Sequence, residues 1–233
     1  MLQRPAAIIF DFDGTLVDNM PVHIEAWIAL CWDSGVELTV DGYYATGVGG
    51  KIEDAIRVFL GQDLTDHEVE ILAEKKEFLY RYLARTRLQP IAGAHQFLHR
   101  LREAGYPLAI ATSADHRNAN FQLDVLGMTG MFDLVVANED VTFGKPFPEI
   151  FQIAARRLGA SPERCLAFED SKPGLAAAAA AGMQIVGLTT TYPRGVVEAL
   201  PGVAYAIDDY TDPRLEALLV GDGLASASEL VPR

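Results

Sequence analysis

The segment spanning residues 6–18 constrains the fold of this chain more than any other. It begins with a continuous apolar run over residues 6–10, which is typical of a strand buried on both faces of a parallel sheet. The run is followed by two carboxylates one residue apart, Asp11 and Asp13, and by Gly14, which permits a turn that a residue with a Cβ would resist. Because open parallel sheets bind ligands at the carboxyl ends of their strands, the segment predicts a core strand that brings two acids to a binding edge.

Asp11 and Asp13 leave two interpretations open at this point. Two crowded carboxylates next to a core strand are unfavourable unless a cation or a proton offsets their repulsion, which indicates a metal site. The alternative is a polar turn with two solvated acids. The residues further along the chain decide between them.

Residues 90–207 alternate between strand and helix patterns. Strand patterns cover residues 107–112, 132–137, 165–168, 184–189 and 203–207, and helical patterns cover residues 94–104, 118–126, 148–158 and 174–181. Strands that alternate with helices indicate parallel βαβ units with right-handed crossovers. The predicted fold class is therefore α/β, with a Rossmann-like parallel-sheet core in three layers, α/β/α.

Residues 18–87 contain helical patterns and no convincing strand. The helices are predicted over residues 20–34, 52–60 and 66–85, with a loop at 42–50. We therefore expect an inserted α-helical cap domain at residues 18–87 and a core domain made of residues 1–17 and 88–228. The last residues, 229–233, end in a sequence that resembles the remnant of a cleaved purification tag, and they take no part in this prediction.

The net charge of −13 limits the partners that this chain can bind. Nucleic acids and anionic membrane surfaces attract basic patches, so we predict neither as a partner. Two cysteines, Cys31 and Cys165, lie in apolar surroundings and are expected to be buried free thiols. With no signal-peptide pattern and no apolar run of membrane-spanning length, a cytoplasmic location is predicted.

Polar residues follow four of the predicted strands, and in a parallel sheet those strand ends share one edge. The residues are Asp11 and Asp13, Thr112 and Ser113, Lys145, and Glu169 with Asp170. Clustered carboxylate oxygens suit Mg²⁺. The sequence has no cluster of His and Cys residues of the kind that binds zinc. The lysine lacks the preceding glycine-rich run of a Walker loop.

These motifs resemble those of the haloacid dehalogenase superfamily. They are, in order, Asp11-Phe12-Asp13-Gly14-Thr15, then Thr112, then Lys145-Pro146, and finally Glu169-Asp170-Ser171. The resemblance covers essentially residues 6–210. The helical insert and the sequences at 144–151 and 168–174 are similar to the β-phosphoglucomutase-like branch, which carries a helical cap.

The resemblance implies a role for each residue at the edge. Asp11 is the expected nucleophile, forming an aspartyl-phosphate, and Asp13 the expected general acid and then base. Mg²⁺ and Lys145 are expected to neutralise the phosphoryl group. The resemblance implies that Mg²⁺ is held by Asp11, the main-chain carbonyl of Asp13 and Asp170, with Glu169 as a direct or a nearby ligand.

The phosphoryl oxygens are expected to be bound by the Thr112 hydroxyl and neighbouring main-chain N–H groups, and Ser113 is expected among the substrate-binding residues. Dehalogenases of the superfamily lack the acid/base aspartate. Asp13 therefore favours phosphate chemistry over cleavage of carbon–halogen bonds.

The cap residues leave the choice between hydrolase and mutase open. His23 and Lys76 match positions of the phosphoglucomutases, but the loop with Gly47 and Lys51 stands where those enzymes carry an arginine, whose bidentate fork a lysine lacks. The phosphate-binding cluster of the mutases is also not reproduced after Thr112. Plain structural roles remain alternatives: a surface position for His23 and solvated charges for Lys51 and Lys76.

The predicted function is therefore a Mg²⁺-dependent phosphatase acting on a small phosphorylated metabolite, a sugar phosphate by preference. The main alternative is β-phosphoglucomutase, and a remote one is a catalytically silent binding protein on the same fold. A monomer is expected, because the cap has to move freely over the core.

Overall fold

The first apolar segment forms a central strand of the sheet in a computed structural model that describes residues 4–46 and 52–219. The six strands are β1 (Ala7–Phe10), β2 (Leu108–Ala111), β3 (Leu134–Val136), β4 (Cys165–Glu169), β5 (Gln184–Leu188) and β6 (Val203–Ile207). They form one parallel sheet in the order β3-β2-β1-β4-β5-β6. All four residues of β1 are buried, as expected of a strand covered on both faces.

Helices cover both faces of the sheet and fill the insert between β1 and β2. They are α1 (Met20–Asp33), α2 (Val40–Ala45), α3 (Ile52–Leu60), α4 (Asp66–Ala84), α5 (Ala94–Glu103), α6 (His116–Val125), α7 (Glu149–Arg157), α8 (Lys172–Ala180), α9 (Arg194–Glu198) and α10 (Glu216–Leu219). Alternate residues of β1 point to opposite faces. Ile8 and Phe10 join the cluster with α5, α6 and α10, whereas Ala7 and Ile9 join that with α7, α8 and α9. The predicted three-layer α/β/α core is confirmed.

The insert has an apolar cluster of its own, formed by α1 to α4. Trp27, Leu30 and Ile56 are among its buried members. The chain leaves and re-enters the core at neighbouring positions, where Val17 pairs with Pro90 and the Asp18 amide donates to the Gln89 carbonyl at 3.2 Å. The residues between β1 and β2 therefore form helices that pack on one another beside β1, as the sequence pattern predicted.

One element of the insert differs from the prediction. The loop predicted at residues 42–50 was wrong for residues 42–45, which belong to α2; residues 47–51 lie outside the described part of the chain. The Thr39 hydroxyl caps α2 by accepting from the Gly42 amide at 3.0 Å, and Tyr43 is buried against Phe59. Packing and a cap thus outweigh the weak helix propensity of this segment.

Two simpler expectations can also be checked. Cys31 and Cys165 are free and buried, as predicted. Across the described residues, none of the helices combines the length and the apolar character that a membrane crossing requires.

Candidate active site

Lys145 joins two carboxylates at the carboxyl edge of the sheet. Its Nζ lies 2.5 Å from Asp11 Oδ1 and 2.7 Å from Glu169 Oε1, and all three side chains are buried. Asp11 follows β1 and Glu169 ends β4, and these strands are neighbours in the sheet with Phe10 opposite Phe168. The register therefore brings the two acids side by side, as the sequence predicted from their strand ends.

Asp170 completes a group of three acids. Ligand oxygens of Asp11, Glu169 and Asp170 all lie within 4.8 Å of one another. Asp170 accepts hydrogen bonds from the hydroxyls of Thr15, at 3.0 Å, and Thr191, and no cation of residues 4–46 or 52–219 contacts it. Three buried carboxylates with one lysine leave an excess of negative charge, which is what a divalent cation offsets.

The same excess of negative charge shifts the pKa values of the group. Burial, and then the charge of Glu169, raises the pKa of Asp11 to about 7 against the attraction of Lys145. Burial and the two neighbouring acids also raise the pKa of Asp170 well above its usual value. Burial alone would lower the pKa of Lys145, but attraction by Asp11 and Glu169 raises it. The lysine is therefore a permanent cation.

Gly14 is a residue that the acid group requires. Its φ of +80° is a conformation that L side chains rarely adopt, and a Cβ there would lie 2.3 Å from Asp170 Oδ2. The glycine of the first motif thus provides both the turn after Asp13 and the space for Asp170.

Asp13 is held by residues from the insert. Asn19 Nδ2 donates to Asp13 Oδ1 at 2.5 Å, and His23 Nε2 lies 3.8 Å from Asp13 Oδ2. Burial would raise the pKa of Asp13, but the hydrogen bonds from His23 and Asn19 lower it to about 2. Asp13 is therefore ionised in this arrangement. The sequence favoured a hinge or turn role for Asn19, where the chain leaves for the insert, and did not place it in the site.

Lys76 and His23 form the wall of the site that the insert contributes. Lys76 is buried, with its Nζ 3.0 Å from His23 Nδ1 and 5.4 Å from the ring centres of both Trp27 and Tyr80. Because an ammonium group can only donate, His23 Nδ1 accepts, and the proton of the neutral ring is then on Nε2, towards Asp13. His23 and Lys76 therefore do not have the solvent-exposed positions that the sequence left as an alternative. Lys75, next to Lys76, is the exposed lysine and pairs with Asp33.

Thr112 and Ser113 lie at the end of β2, on the same edge. Thr112 is buried, and its Oγ1 accepts from the Ala114 amide at 3.0 Å, so the hydroxyl proton remains free for another acceptor. Ser113 and Ala114 also line the cavity. The predicted loop residues Gly47 and Lys51 lie outside the described residues.

A cavity of about 250 Å³ connects the sheet edge with the insert. Its polar and charged lining combines residues of both parts: Asp11, Asp13, His23, Lys76, Glu77, Thr112, Ser113, Asn118, Lys145, Asp170, Ser171 and Thr191. Apolar walls come from Met20, Trp27 and Ile52. The size and the lining suit a small polar metabolite.

Several lining residues had not been singled out from the sequence. Glu77, Asn118 and Thr191 all reach the cavity. Thr191 follows β5, so its place just beyond another strand end was a usable signal. Glu77 and Asn118 meet only because α4 lies against α6, and no local pattern announces that contact.

The comparisons with known proteins agree with this geometry. The family model of haloacid dehalogenase-like hydrolases matches residues 5–182. Fructose-1-phosphate phosphatase YqaB of Escherichia coli is 33% identical over 190 residues, covering 80% of this chain and 97% of that protein. A phosphorylated carbohydrates phosphatase of Thermotoga maritima is 30% identical over 182 residues, covering 76% of this chain and 82% of the relative.

A solved structure gives the same fold. A structure from Thermotoga maritima, described as a putative β-phosphoglucomutase, superposes with a TM-score of 0.69 at 28% identity, covering 91% of this chain and 96% of that one. The predictions of the superfamily, of its β-phosphoglucomutase-like branch and of an enzyme that hydrolyses phosphoric monoesters are confirmed. With a family model that spans most of the sequence, this chain belongs to the haloacid dehalogenase-like hydrolases.

Proposed function

We propose that this chain is a Mg²⁺-dependent phosphatase that hydrolyses a small sugar phosphate through an aspartyl-phosphate on Asp11. The observation that carries the proposal is the contact of Lys145 Nζ with Asp11 Oδ1 at 2.5 Å, in the wall of the cavity and beside two further buried acids. A carboxylate that attacks an anionic phosphoryl group needs cations close by. The site provides one cation, the lysine, and carboxylate ligands for a second cation.

The acid group fits a divalent cation with oxygen ligands. Asp170 has no cationic partner within the described residues, whereas both oxygens of Glu169 already accept from Lys145 or Ser171. We therefore assign Asp11, Asp170 and the main-chain carbonyl of Asp13 as the ligands of Mg²⁺, with Glu169 beside them holding Lys145. When bound, Mg²⁺ would withdraw charge from the phosphoryl oxygens.

The two aspartates of the first motif divide the reaction between them. Asp13, ionised in the free site, takes up the proton that the sugar phosphate brings as its monoanion. Asp11 Oδ then attacks phosphorus, and Asp13 gives that proton to the leaving oxygen of the sugar. Asp13 is then ionised, the state in which Asn19 and His23 hold it here, and it accepts a proton from the water that attacks the aspartyl-phosphate. Inorganic phosphate takes this proton from Asp13 as it leaves, which returns both residues to their starting states.

Thr112, Ser113 and Lys145 are proposed to bind the phosphoryl oxygens. The Thr112 hydroxyl keeps its proton free while its oxygen accepts from Ala114, so it can donate to a phosphoryl oxygen. Ser113 lines the cavity next to it. These donors and the lysine stabilise the negative charge that the transferred group carries.

We further propose that residues 18–87 act as a cap domain over a core of residues 1–17 and 88–228. The separate apolar cluster of α1 to α4 and the adjacent crossing points at Val17 and Pro90 support this division. His23 and Lys76 of the cap, and the loop with Gly47 and Lys51, would then contact the substrate. A cap that opens and closes excludes water from the reaction. Because such a cap has to move freely over the core, we also propose a monomer. The proposed location is the cytoplasm.

The substrate class is inferred from the relatives and the cavity together. Two relatives at 30–33% identity are named as phosphatases of fructose 1-phosphate and of phosphorylated carbohydrates. The cavity of about 250 Å³ accommodates a small metabolite, and its cap end has polar groups suited to hydroxyls. Transfer of a phosphoryl group within a sugar, as in β-phosphoglucomutase, is the second candidate, and the buried Lys76 at the cap end favours it.

One experiment separates the two candidates. The protein is incubated with Mg²⁺, β-glucose 1-phosphate and a trace of glucose 1,6-bisphosphate, and free phosphate and glucose 6-phosphate are followed together, alongside a panel of sugar phosphates. We expect phosphate as the main product, loss of activity with a chelator, and at least about a 10⁴-fold lower kcat for Asp11→Asn. Glucose 6-phosphate with little free phosphate would establish the mutase instead.

A further inference from the structure

A second carboxylate site lies at the cap end of the cavity, beyond His23 and Lys76 as seen from Asp13. Glu77 lines the cavity, its side chain is only 14% exposed, and its Oε1 accepts from Lys76 Nζ at 2.8 Å. Burial would raise the pKa of Glu77, but the charge of Lys76 and the hydrogen bonds from Lys76 and Asn118 together leave the pKa below its usual value. The cavity therefore has a fixed anion next to its cap lysine.

The direction of Glu77 is set by a residue of α6. Asn118 Nδ2 donates to Glu77 Oε2, and Asn118 Oδ1 accepts from an Arg81 guanidinium nitrogen at 2.6 Å. Since a guanidinium only donates and a carboxylate only accepts, the orientation of the Asn118 amide is unambiguous. Glu77 and Arg81 lie one turn apart on α4, so a single residue of the core fixes the carboxylate of the insert.

The hydrogen-bonding groups of this pair are not all used. Of the three N–H groups of Lys76, one is directed at His23 Nδ1 and one at Glu77, which leaves one. The Glu77 carboxylate has about four acceptor positions, of which Lys76 and Asn118 use two. As far as residues 4–46 and 52–219 are concerned, a free donor and free acceptors therefore lie next to each other at the cap end. Neighbouring hydroxyls match them, because each hydroxyl can both donate and accept.

We propose that Glu77, together with Lys76, binds adjacent hydroxyl groups of a sugar monophosphate and excludes a second phosphoryl group from the cap end of the cavity. The inference rests on the proposed function, in which the transferred phosphoryl group lies at Asp11 and Lys145. A second phosphoryl group at Lys76 would meet the charge of Glu77 in a buried site, where repulsion between like charges is strong. Glu77 thus makes the enzyme specific for monophosphates.

Two variants of Glu77 test its role in specificity. Glu77→Gln removes the charge and keeps the shape, while Glu77→Asp keeps the charge and shortens the side chain. The measured quantity is the ratio of kcat/KM for fructose 1-phosphate or glucose 1-phosphate to kcat/KM for p-nitrophenyl phosphate, which has no hydroxyl. We expect this ratio to fall about 10-fold in both variants, since a charge-assisted hydrogen bond is lost or misplaced.

Inhibition by a bisphosphate separates the effect of the Glu77 charge from the effect of the length of its side chain. Fructose 1,6-bisphosphate should inhibit Glu77→Gln about 10-fold more strongly than the wild type, because the repelling charge is gone, and Glu77→Asp should resemble the wild type. The control is Glu74→Gln, one turn earlier on α4, where the carboxylate is exposed and pairs with Arg117 at the surface. The control should leave both quantities unchanged.

The outcomes distinguish this inference from the proposed function. If the wild type hydrolyses p-nitrophenyl phosphate and no sugar phosphate, the proposed function is overturned and this inference with it. If the wild type hydrolyses sugar phosphates and neither variant changes the ratio, only the role of Glu77 is overturned. Should Glu77→Gln fail to fold by thermal unfolding, the ratio for Glu77→Asp decides.

Discussion

A Cβ atom on Gly174 would lie 1.6 Å from Oε1 of Glu169. The carboxylate of Glu169 occupies the space over the first turn of α8, where the amide and the hydroxyl of Ser171 donate to its Oε2 at 2.6 Å and 3.0 Å. Its other oxygen accepts from Lys145. The position of Lys145 beside Asp11 therefore depends on a glycine that touches neither.

Gly174→Ala should disable the site by displacing Glu169. The added methyl group overlaps a fully buried carboxylate that holds Lys145, so Glu169 has to move and the lysine loses one of its two partners. We expect a loss of about 1–3 kcal/mol in the free energy of unfolding, typical of overpacking, and at least a 10-fold fall in kcat. Urea unfolding and phosphate release measure the two effects.

Gly195→Ala is the matched control for this substitution. Gly195 also lies near the start of a helix, α9, and a Cβ there would meet nothing within 4 Å. Alanine is the better helix former by about 0.8–1.0 kcal/mol, so this variant should be as stable as the wild type or more so. Equal behaviour of the two variants would refute the role given to Gly174.

Asp170→Asn should make the thermal stability of the protein insensitive to Mg²⁺. In the wild type we expect Mg²⁺ at a hundredfold excess over its Kd to stabilise the fold by about 2.7 kcal/mol, or about 5–10 °C in Tm, because the three acids share one lysine. The variant removes one of these acids, so its Tm should respond little to Mg²⁺ or to a chelator. Differential scanning calorimetry with and without Mg²⁺ measures both responses.

The same variant gives a second result in metal-free buffer. Without Mg²⁺, Asp170→Asn relieves repulsion among buried carboxylates and should unfold at a higher temperature than the metal-free wild type. Asp33→Asn is a useful comparison, since Asp33 is an exposed acid paired with Lys75 far from the group. If Mg²⁺ stabilises the wild type and Asp170→Asn equally, Asp170 is not a ligand.

Asp133 should give the protein an acid-sensitive contribution to stability. Its carboxylate accepts from the Leu108 amide and Arg102 at 2.8 Å, which ties the start of β2 to α5. Burial raises its pKa, but these bonds outweigh burial and lower the pKa below the ordinary 3.8. The contribution is therefore present above about pH 3.8 and is lost as the pH falls through the lower pKa of the folded state.

Asp133→Asn tests this contribution. The side chain is 39% exposed, so solvent screening limits the loss at pH 7 to about 0.5–1 kcal/mol. Denaturant unfolding between pH 2.5 and 7 should show the difference from the wild type shrinking towards the acid end. Arg102→Ala and the double variant complete a cycle, and additive losses would mean that the two side chains are not coupled.

The core half of the site could be predicted because parallel strands bring their carboxyl ends to one edge. Asp11, Glu169 and Lys145 are far apart in the sequence, yet each follows or precedes a recognisable element, and the sheet topology makes them meet. The register between β1 and β4 then determines which residues are neighbours. The apolar patterns locate the strands, and the order of the motifs shows which strand ends carry the acids and the lysine.

The cap half could not be predicted in the same way. The contacts of Asn118 with Glu77 and Arg81 depend on how α4 lies against α6, which follows from the packing of the whole insert rather than from any local pattern. The helix α2 was missed for a related reason, because burial of Tyr43 stabilises it. Lys76 could be placed near the site only through the family resemblance.

Asn19 connects the core to the insert at the proposed acid/base residue, and its removal should slow the second half of the reaction. It is fully buried and donates to Asp13 Oδ1 at 2.5 Å and to the Tyr80 hydroxyl at 2.7 Å. In Asn19→Ala, Asp13 loses the donor that orients it towards the attacking water, and we expect about a 10-fold or greater fall in kcat with accumulation of the phosphorylated enzyme. Rapid quenching and protein mass spectrometry measure that species. Tyr80→Phe removes only the other partner and should not accumulate it; accumulation in Tyr80→Phe but not in Asn19→Ala would reverse the assignment.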